Sequence, residues 1–451
     1  MKNVKRIQKE IAVFFAILVE GQGIGGILKE IGRCIKKIWK SFWKEIARIL
    51  GILSREILKL QTPVVPNKIF FHTQETKYTC NPKYICEELL KTDLDVDIVW
   101  RVSKNNSDEF PEGVRKVRIN SYQYFKEIFS SKIVITNSFL FLGEPVFLKK
   151  KQTLIETWHG SLGIKRHSKD AIKDTWRRVY ALEKTGKMTS YCISNSSLET
   201  SSLRSTYWPK TPMLEYGHPR NDLFFENHLN DRILIRKQLF KKYDISPNTK
   251  IVMYAPTFRD NKDFSCYNID FERLFNALEQ RFGGTWCLFL RYHPALFKVY
   301  KSRGYKVLQN YLESTDIGEV ECETKDYRRI INVTDYPDMQ ELIAVTDIAI
   351  TDYSSWIYDF MLLRKPGFIF ATDIAEYNNE RGFYYPIETT PFSIAVNNDQ
   401  LEKNILSFNE ADYRKRLEEF LVEKGCVEDG HASERVVELI KKIISEENVL
   451  N

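Results

Sequence analysis

No stretch of this chain is apolar for long enough to cross a bilayer. The candidate run, IAVFFAILV (11–19), spans nine residues between Glu10 and Glu20, against the roughly 20 that a spanning helix needs. Its lysine-rich start has the outline of a signal peptide. Glu20 and GQGIGG stand where a small-x-small cleavage site belongs, so export is not expected. Cysteine is sparse as well: eight in 451 residues, scattered, with no C-x-x-C pair. That argues against a disulfide framework or a zinc site and fits free thiols in a reducing compartment. G-x-x-x-x-G-K-[ST] does not occur, and the spacing G-x-G-x-x-G occurs only in GQGIGG (21–26), which stands in no β-rich βαβ context, so Walker-type and dinucleotide binding lack support.

What is present begins with a basic extension. Residues 1–60 hold thirteen Lys/Arg against five Glu, a charge of +8, while the whole chain carries +7. The remainder is therefore near neutral, and the basic character belongs to the extension. From about 27 to 60, Ile31, Ile35, Ile38, Phe42, Ile46, Ile49, Leu53, Ile57 and Leu60 recur at helical steps. Trp39 and Trp43 flank this stripe, and Lys36, Lys37, Lys40 and Lys44 cover much of the rest. Such a helix is expected to lie on an anionic membrane surface, the other reading being a helix packed on the protein's own body. Nucleic acid is not an expected partner, because the apolar stripe is too continuous. LQTPVVPNK (60–68) then breaks the helix with two prolines.

After Pro66, short β-rich runs alternate with helical stretches. KIFFHTQ (68–74), VDIVWRV (96–102), KIVITNS (132–138), TLIETWHG (153–160), YCISNS (191–196) and MLEYG (213–217) form a first series. KIVMYAPTF (250–258), TWCLFLRYHP (285–294), RIINVTDY (329–336), DIAITDYSS (347–355) and GFIFATD (367–373) form a second. Such alternation predicts an α/β protein with two parallel-sheet domains facing each other across a cleft. The expected divisions are 1–62 (membrane-associating helix), 67–245, 246–430 and a C-terminal helix over 431–451. Ligands of open α/β sheets bind beyond the carboxyl ends of the strands, so the informative residues are those just past each strand.

Four strand ends carry groups suited to an anion. In TDYSSWIYDFMLLRKP (351–366), Ser354 and Ser355 fall at a predicted helix start, where free N–H groups favour phosphate. Serine there is also an ordinary cap. Asp359, one turn on, suits hydroxyl groups better. In LRYHP (290–294), Arg291 and His293 emerge on one side of a strand and suit a diphosphate. YAPTFRD adds Thr257 and Arg259, and GHPRND adds Arg220. His218 reads as a loop residue without a role. At TWHGSLG (157–163), His159 ends a strand before Gly160 and Ser161. It is either a packed histidine or a base pointing into the cleft.

Taken in order, TWHGSLG, GHPRND, YAPTFR, RYHP, ITDYSSWIYDF, RGFYYP and EDGHASERV resemble the CDP-glycerol glycerophosphotransferase family, bacterial primases and polymerases of teichoic acid and related capsules. The resemblance covers roughly residues 68–440. It implies a GT-B fold, a CDP-polyol donor held mainly by the second domain, and a lipid-linked or polymeric acceptor approaching from the first. It further implies His159 as catalytic base and His293 as its partner on the donor phosphates. Gly160, Arg220, Thr257, Arg259, Arg291, Ser354, Ser355 and Asp359 would stand on the donor side, with Arg381 of RGFYYP a further charge there. No cofactor is called for, although Mg²⁺ on the donor diphosphate is compatible. The chain departs from the family at Ser161-Leu162, where Thr-Pro is frequent, and at His218, where an aromatic is common. The implied reaction is transfer of glycerol phosphate, or ribitol phosphate, at the cytoplasmic face of the bacterial membrane with release of CMP. A sugar-nucleotide glycosyltransferase and an inactive scaffold of the same fold are the alternative readings.

Overall fold

The computed structural model describes residues 24–104, 106, 109–140, 148–171, 175–257, 259, 266–292 and 329–448. Residues 24–63 group with 148–149 in one compact unit; the described residues of 64–140 and 150–448 form another. The first unit is dominated by one helix, Ile24–Gln61, in line with the helical periodicity. The rings of Trp39, Phe42 and Trp43 lie against one another and are exposed, as are Lys36, Lys37, Lys40 and Lys44. The run 11–19 falls outside the described residues.

The second unit is built on two sheets. β1 (Val65–His72), β2 (Asp97–Val102), β3 (Val114–Arg118), β4 (Ser131–Thr136), β5 (Thr153–Glu156), β6 (Tyr191–Ser194) and β7 (Met213–Glu215) join in the order β3-β2-β1-β4-β5-β6-β7. β8 (Lys250–Tyr254), β9 (Trp286–Leu290), β10 (Arg329–Asn332), β11 (Ile348–Thr351), β12 (Gly367–Phe370) and β13 (Ser393–Ala395) join as β10-β9-β8-β11-β12-β13. All pairings are parallel. Helices cover both faces, which is why a central strand such as β9 (WCLFL) is buried at every position. β3 and β13 were not among the expected strands. Each lies at a sheet edge; β3 reads VRKVR, whose charged residues face solvent, and β13 has three residues, so neither makes an apolar run.

Distant motifs meet in this unit. Asp222 of GHPRND accepts the backbone N–H groups of Ala432 and Ser433 (2.9 and 2.7 Å), capping the start of the helix Ala432–Asn448. That helix packs Val436, Val437 and Ile440 against Ile69, Phe71 and Trp100 of the first sheet. Lys83, beside the first sheet, reaches Asp338 and Glu341, beside the second, at 2.7 and 2.5 Å.

Candidate active site

Each sheet reverses its winding once, between β1 and β4 in the first and between β8 and β11 in the second. Side chains flanking a reversal are not covered by a crossover, so a crevice opens at the strand ends. Here the two crevices share one cavity of about 590 Å³, lined by Gln74 after β1, Asn137 after β4, Thr257 after β8, and Ser354 and Ser355 after β11. His159, Arg220, Arg291 and Asp359 line it too.

His159 is presented by a strained turn. Trp158 adopts φ +55°, a left-handed conformation unfavourable for a bulky residue. The turn is pinned: Trp158 N–H donates to Glu156 Oε1 (3.0 Å), and Asn81 Nδ2 donates to the carbonyls of Thr157 and Trp158 (2.7 and 3.1 Å). The Trp158 indole stacks away into a cluster with Tyr207 and Trp208. Gly160 is required by that indole, since a Cβ there would lie 2.6 Å from Trp158 Nε1. The result turns the imidazole into the cleft, with Nδ1 2.7 Å from the Asn137 carbonyl. The ring is open to the cleft and walled by protein elsewhere. Desolvation lowers its pKa to about 4, opposed by the Asn137 bond and aided by the Arg220 charge. It is therefore neutral at pH 7.

On the second-sheet side, the Thr257 hydroxyl is buried with no hydrogen-bond partner among the described residues, while its N–H is held by Asp352 (2.8 Å). Ser355 begins the helix Trp356–Phe360 without a side-chain capping bond. Arg291 Nη1 donates to the carbonyls of Val333 and Tyr336 (3.1 and 2.8 Å), which fixes the guanidinium at the cavity wall. Burial lowers its pKa, yet a guanidinium stays protonated.

Two expected donor residues are engaged by the protein instead. Arg259 is buried, pairing with Asp373 (2.6 Å) and Asp352 (2.7 Å) among the rings of Tyr267, Tyr353 and Tyr377. It is not among the residues lining the cavity, and its ion pairs join the segments that follow β8, β11 and β12. Asp359 lines the cavity and accepts from Arg220, Asn221 and Gln340 at 3.0, 3.0 and 3.1 Å, which leaves one of the roughly four acceptor sites of a carboxylate for a hydroxyl. Arg220 also donates to the Gly160 carbonyl (2.6 Å), linking this hub to the His159 turn. His218 lies in a loop, as expected, but is fully buried, 2.9 Å from Glu199 Oε2. His293 lies outside the described residues, and nothing is described of the Arg381 side chain.

Sequence reasoning missed Asn81, Asn137, Lys165 and Gln340. Asn137 stood at a quoted strand end, where the strand-end rule could have found it; the others act through contacts with no local signature.

A family model for CDP-glycerol:poly(glycerophosphate) glycerophosphotransferase matches residues 55–442. The chain belongs to that family. At 28% identity it matches the teichoic acid poly(glycerol phosphate) polymerase of Bacillus spizizenii over 87% of this chain and 94% of that protein. The polymerase so described from Staphylococcus epidermidis is also 28% identical, over 85% of this chain. This chain spans about half of that relative's length (52%). Among solved structures, the wall teichoic acid polymerase TagF superposes with a TM-score of 0.71 at 27% identity, covering 90% of this chain and 98% of TagF. The fold of this glycerophosphotransferase family member is the GT-B fold of TagF.

Proposed function

We propose that this chain transfers a polyol phosphate, glycerol phosphate first and ribitol phosphate as the other candidate, from a CDP-polyol to a hydroxyl of a lipid-linked or polymeric acceptor. The observation that carries the reading is a neutral histidine, His159, in a cleft whose opposite wall offers Thr257, Ser354, Ser355 and Arg291. A carbonyl only accepts, so the imidazole proton sits on Nδ1 toward Asn137, and the Nε2 lone pair is left to take a proton. The acceptor oxygen bonds to the β-phosphorus and its proton passes to Nε2. The bond from that phosphorus to the CMP oxygen then breaks, its electron pair leaving on CMP. Such transfer needs alignment and neutralised phosphate charge more than covalent help. Arg291 and the hydroxyls of Thr257, Ser354 and Ser355 provide that neutralisation, with His293 and Arg381 assigned to the same side. Mg²⁺, where present, would be held by the donor's own diphosphate oxygens; among the described residues no three His, Cys, Asp or Glu form a metal set.

Support also comes from relatives described as teichoic acid poly(glycerol phosphate) polymerases and as a glycerol-phosphate transferase, and from a TagF variant soaked with CDPG. The helix Ile24–Gln61, with Trp39 61% and Trp43 52% exposed, is assigned to an anionic membrane surface on the cytoplasmic face. No described helix is long and apolar enough to cross a membrane. The test is CMP release from CDP-glycerol and CDP-ribitol with a synthetic lipid-linked acceptor, in the presence of anionic liposomes. CMP release from either supports the reading, and release of UDP from a UDP-sugar alone would replace it with the glycosyltransferase reading.

A further inference from the structure

A second cavity of about 450 Å³ adjoins the first. The two share Gln74, His159, Lys165 and Ser355 and nothing else, so they meet at the base. Their walls differ in chemistry. The second is faced by Phe139, Trp158, Tyr207 and Tyr384; Arg178 also lines it, and Lys165 lines it where the two cavities meet. Tyr384 comes from RGFYYP, a motif the donor reading leaves without a described contact. Its backbone N–H donates to Ile164 (2.8 Å), and Phe383 bridges to Lys165, so this segment closes the cavity against the chain that follows His159. The rings of Trp158 and Tyr207 lie 5.4 Å apart, and those of His167 and Tyr384 5.7 Å.

In-line displacement places the attacking oxygen and the leaving group on opposite sides of the phosphorus. If the CDP moiety occupies the first cavity, beside Arg291 and Thr257, the nucleophile must enter from the other side of His159. The second cavity is what lies there. We infer that it is the acceptor subsite, and that it takes the terminal polyol-phosphate unit of the acceptor chain. The terminal hydroxyl meets His159 Nε2. The carbon chain of the polyol lies against the aromatic walls, and the phosphodiester of that unit faces Lys165 and Arg178, whose positive charges suit an anionic polymer. This assignment rests on the donor reading above. In the step it serves, the acceptor oxygen gains its bond to phosphorus, its proton goes to His159, and CMP departs into the first cavity.

The test uses the full chain, CDP-glycerol as donor and a synthetic glycerol-phosphate oligomer as acceptor. Arg178 is exposed on the helix Trp176–Gly186, so Arg178→Glu should fold. Ser202→Phe places a ring in the cavity from the helix Ser197–Thr206. Both variants are expected to raise the acceptor KM by about tenfold or more, while the CDP-glycerol Kd, read by calorimetry, changes by less than about twofold. An unchanged acceptor KM in both would overturn the subsite. A CDP-glycerol Kd weakened as much as the acceptor KM would place the donor here and overturn it as well. A wild type that does not bind CDP-glycerol would remove the donor reading itself, and the subsite with it.

Discussion

The imidazole of His159 donates through Nδ1 to the backbone carbonyl of Asn137 at 2.7 Å, joining the segments that follow the paired strands β5 and β4. The partner is a backbone atom, so the bond survives any side-chain change at 137 and fixes the tautomer by geometry alone. It leaves Nε2 unprotonated and facing both cavities.

His159 is held neutral well below the ordinary histidine value. Desolvation, with the Arg220 charge, brings its pKa to about 4, against about 6.5 in solution. The base form therefore persists as pH falls, and the acid limb of kcat/KM for CDP-glycerol should lie near pH 4 rather than near 6.5. His159→Ala should lower kcat by about 10²- to 10⁴-fold with CDP-glycerol binding retained. A wild-type acid limb centred on the solution value would contradict the confinement of the ring.

Asn81 is a positioning residue for the same imidazole. Its Nδ2 holds two carbonyls of the Trp158 turn, and its Oδ1 accepts the Arg220 backbone N–H (3.1 Å). Asn81→Ala leaves these buried groups unpaired, a cost of about 1–3 kcal/mol in unfolding free energy. The strained φ of Trp158 loses its tether, so kcat should fall with little change in the CDP-glycerol KM. Asn81→Asp keeps the acceptor but not the donor and should recover stability less than activity demands. A kcat equal to wild type in Asn81→Ala would show that the turn holds itself.

The hub behind the cleft makes stability fall as pH rises. Glu428 accepts from Asn195 and Asn221 side chains (3.0 and 2.7 Å) and from the His218 N–H (3.1 Å), and burial pushes its pKa up to about 7. Burial works against a charged His218, but the Glu199 carboxylate outweighs it and raises the imidazole pKa. Both folded values exceed the unfolded ones, so both contributions are present below the unfolded pKa values and lost as pH rises through about 7 and above. Glu199 shifts the other way and is ionised across this window. The Glu428 contribution should be lost between about pH 4.5 and 7, so over that range the melting temperature of the wild type should fall relative to that of Glu428→Gln. Parallel curves for the two proteins would dismiss Glu428 as the source of that fall.

Much of the architecture was legible from the chain. Apolar runs such as KIVITNS and TWCLFLRYHP named the central strands of both sheets, because strands covered on both faces are mostly apolar. The rule that ligands sit past strand ends led to Thr257, Arg291, Ser354 and Ser355, and all four line the cavity. The edge strand VRKVR escaped, since one exposed face replaces an apolar run with alternating charge.

Position along the chain determined which residues stand at the strand ends; the tertiary structure alone decided which of them face the cleft. Arg259 and Arg291 read alike in sequence, each just past a strand. Arg259 meets Asp352 and Asp373, about a hundred residues away, and is neutralised there. Among the described residues the Arg291 guanidinium donates to the carbonyls of Val333 and Tyr336 and forms no ion pair, so its charge is left for the cavity. His159 is the same case: its motif marked a histidine at a turn, and the left-handed Trp158, the Asn81 tether and the Asn137 carbonyl decide that its ring lines the cavity with Nδ1 bonded and the Nε2 lone pair free of that bond. Partners so distant in sequence leave no local pattern, because side-chain charge is compensated in space and not along the chain.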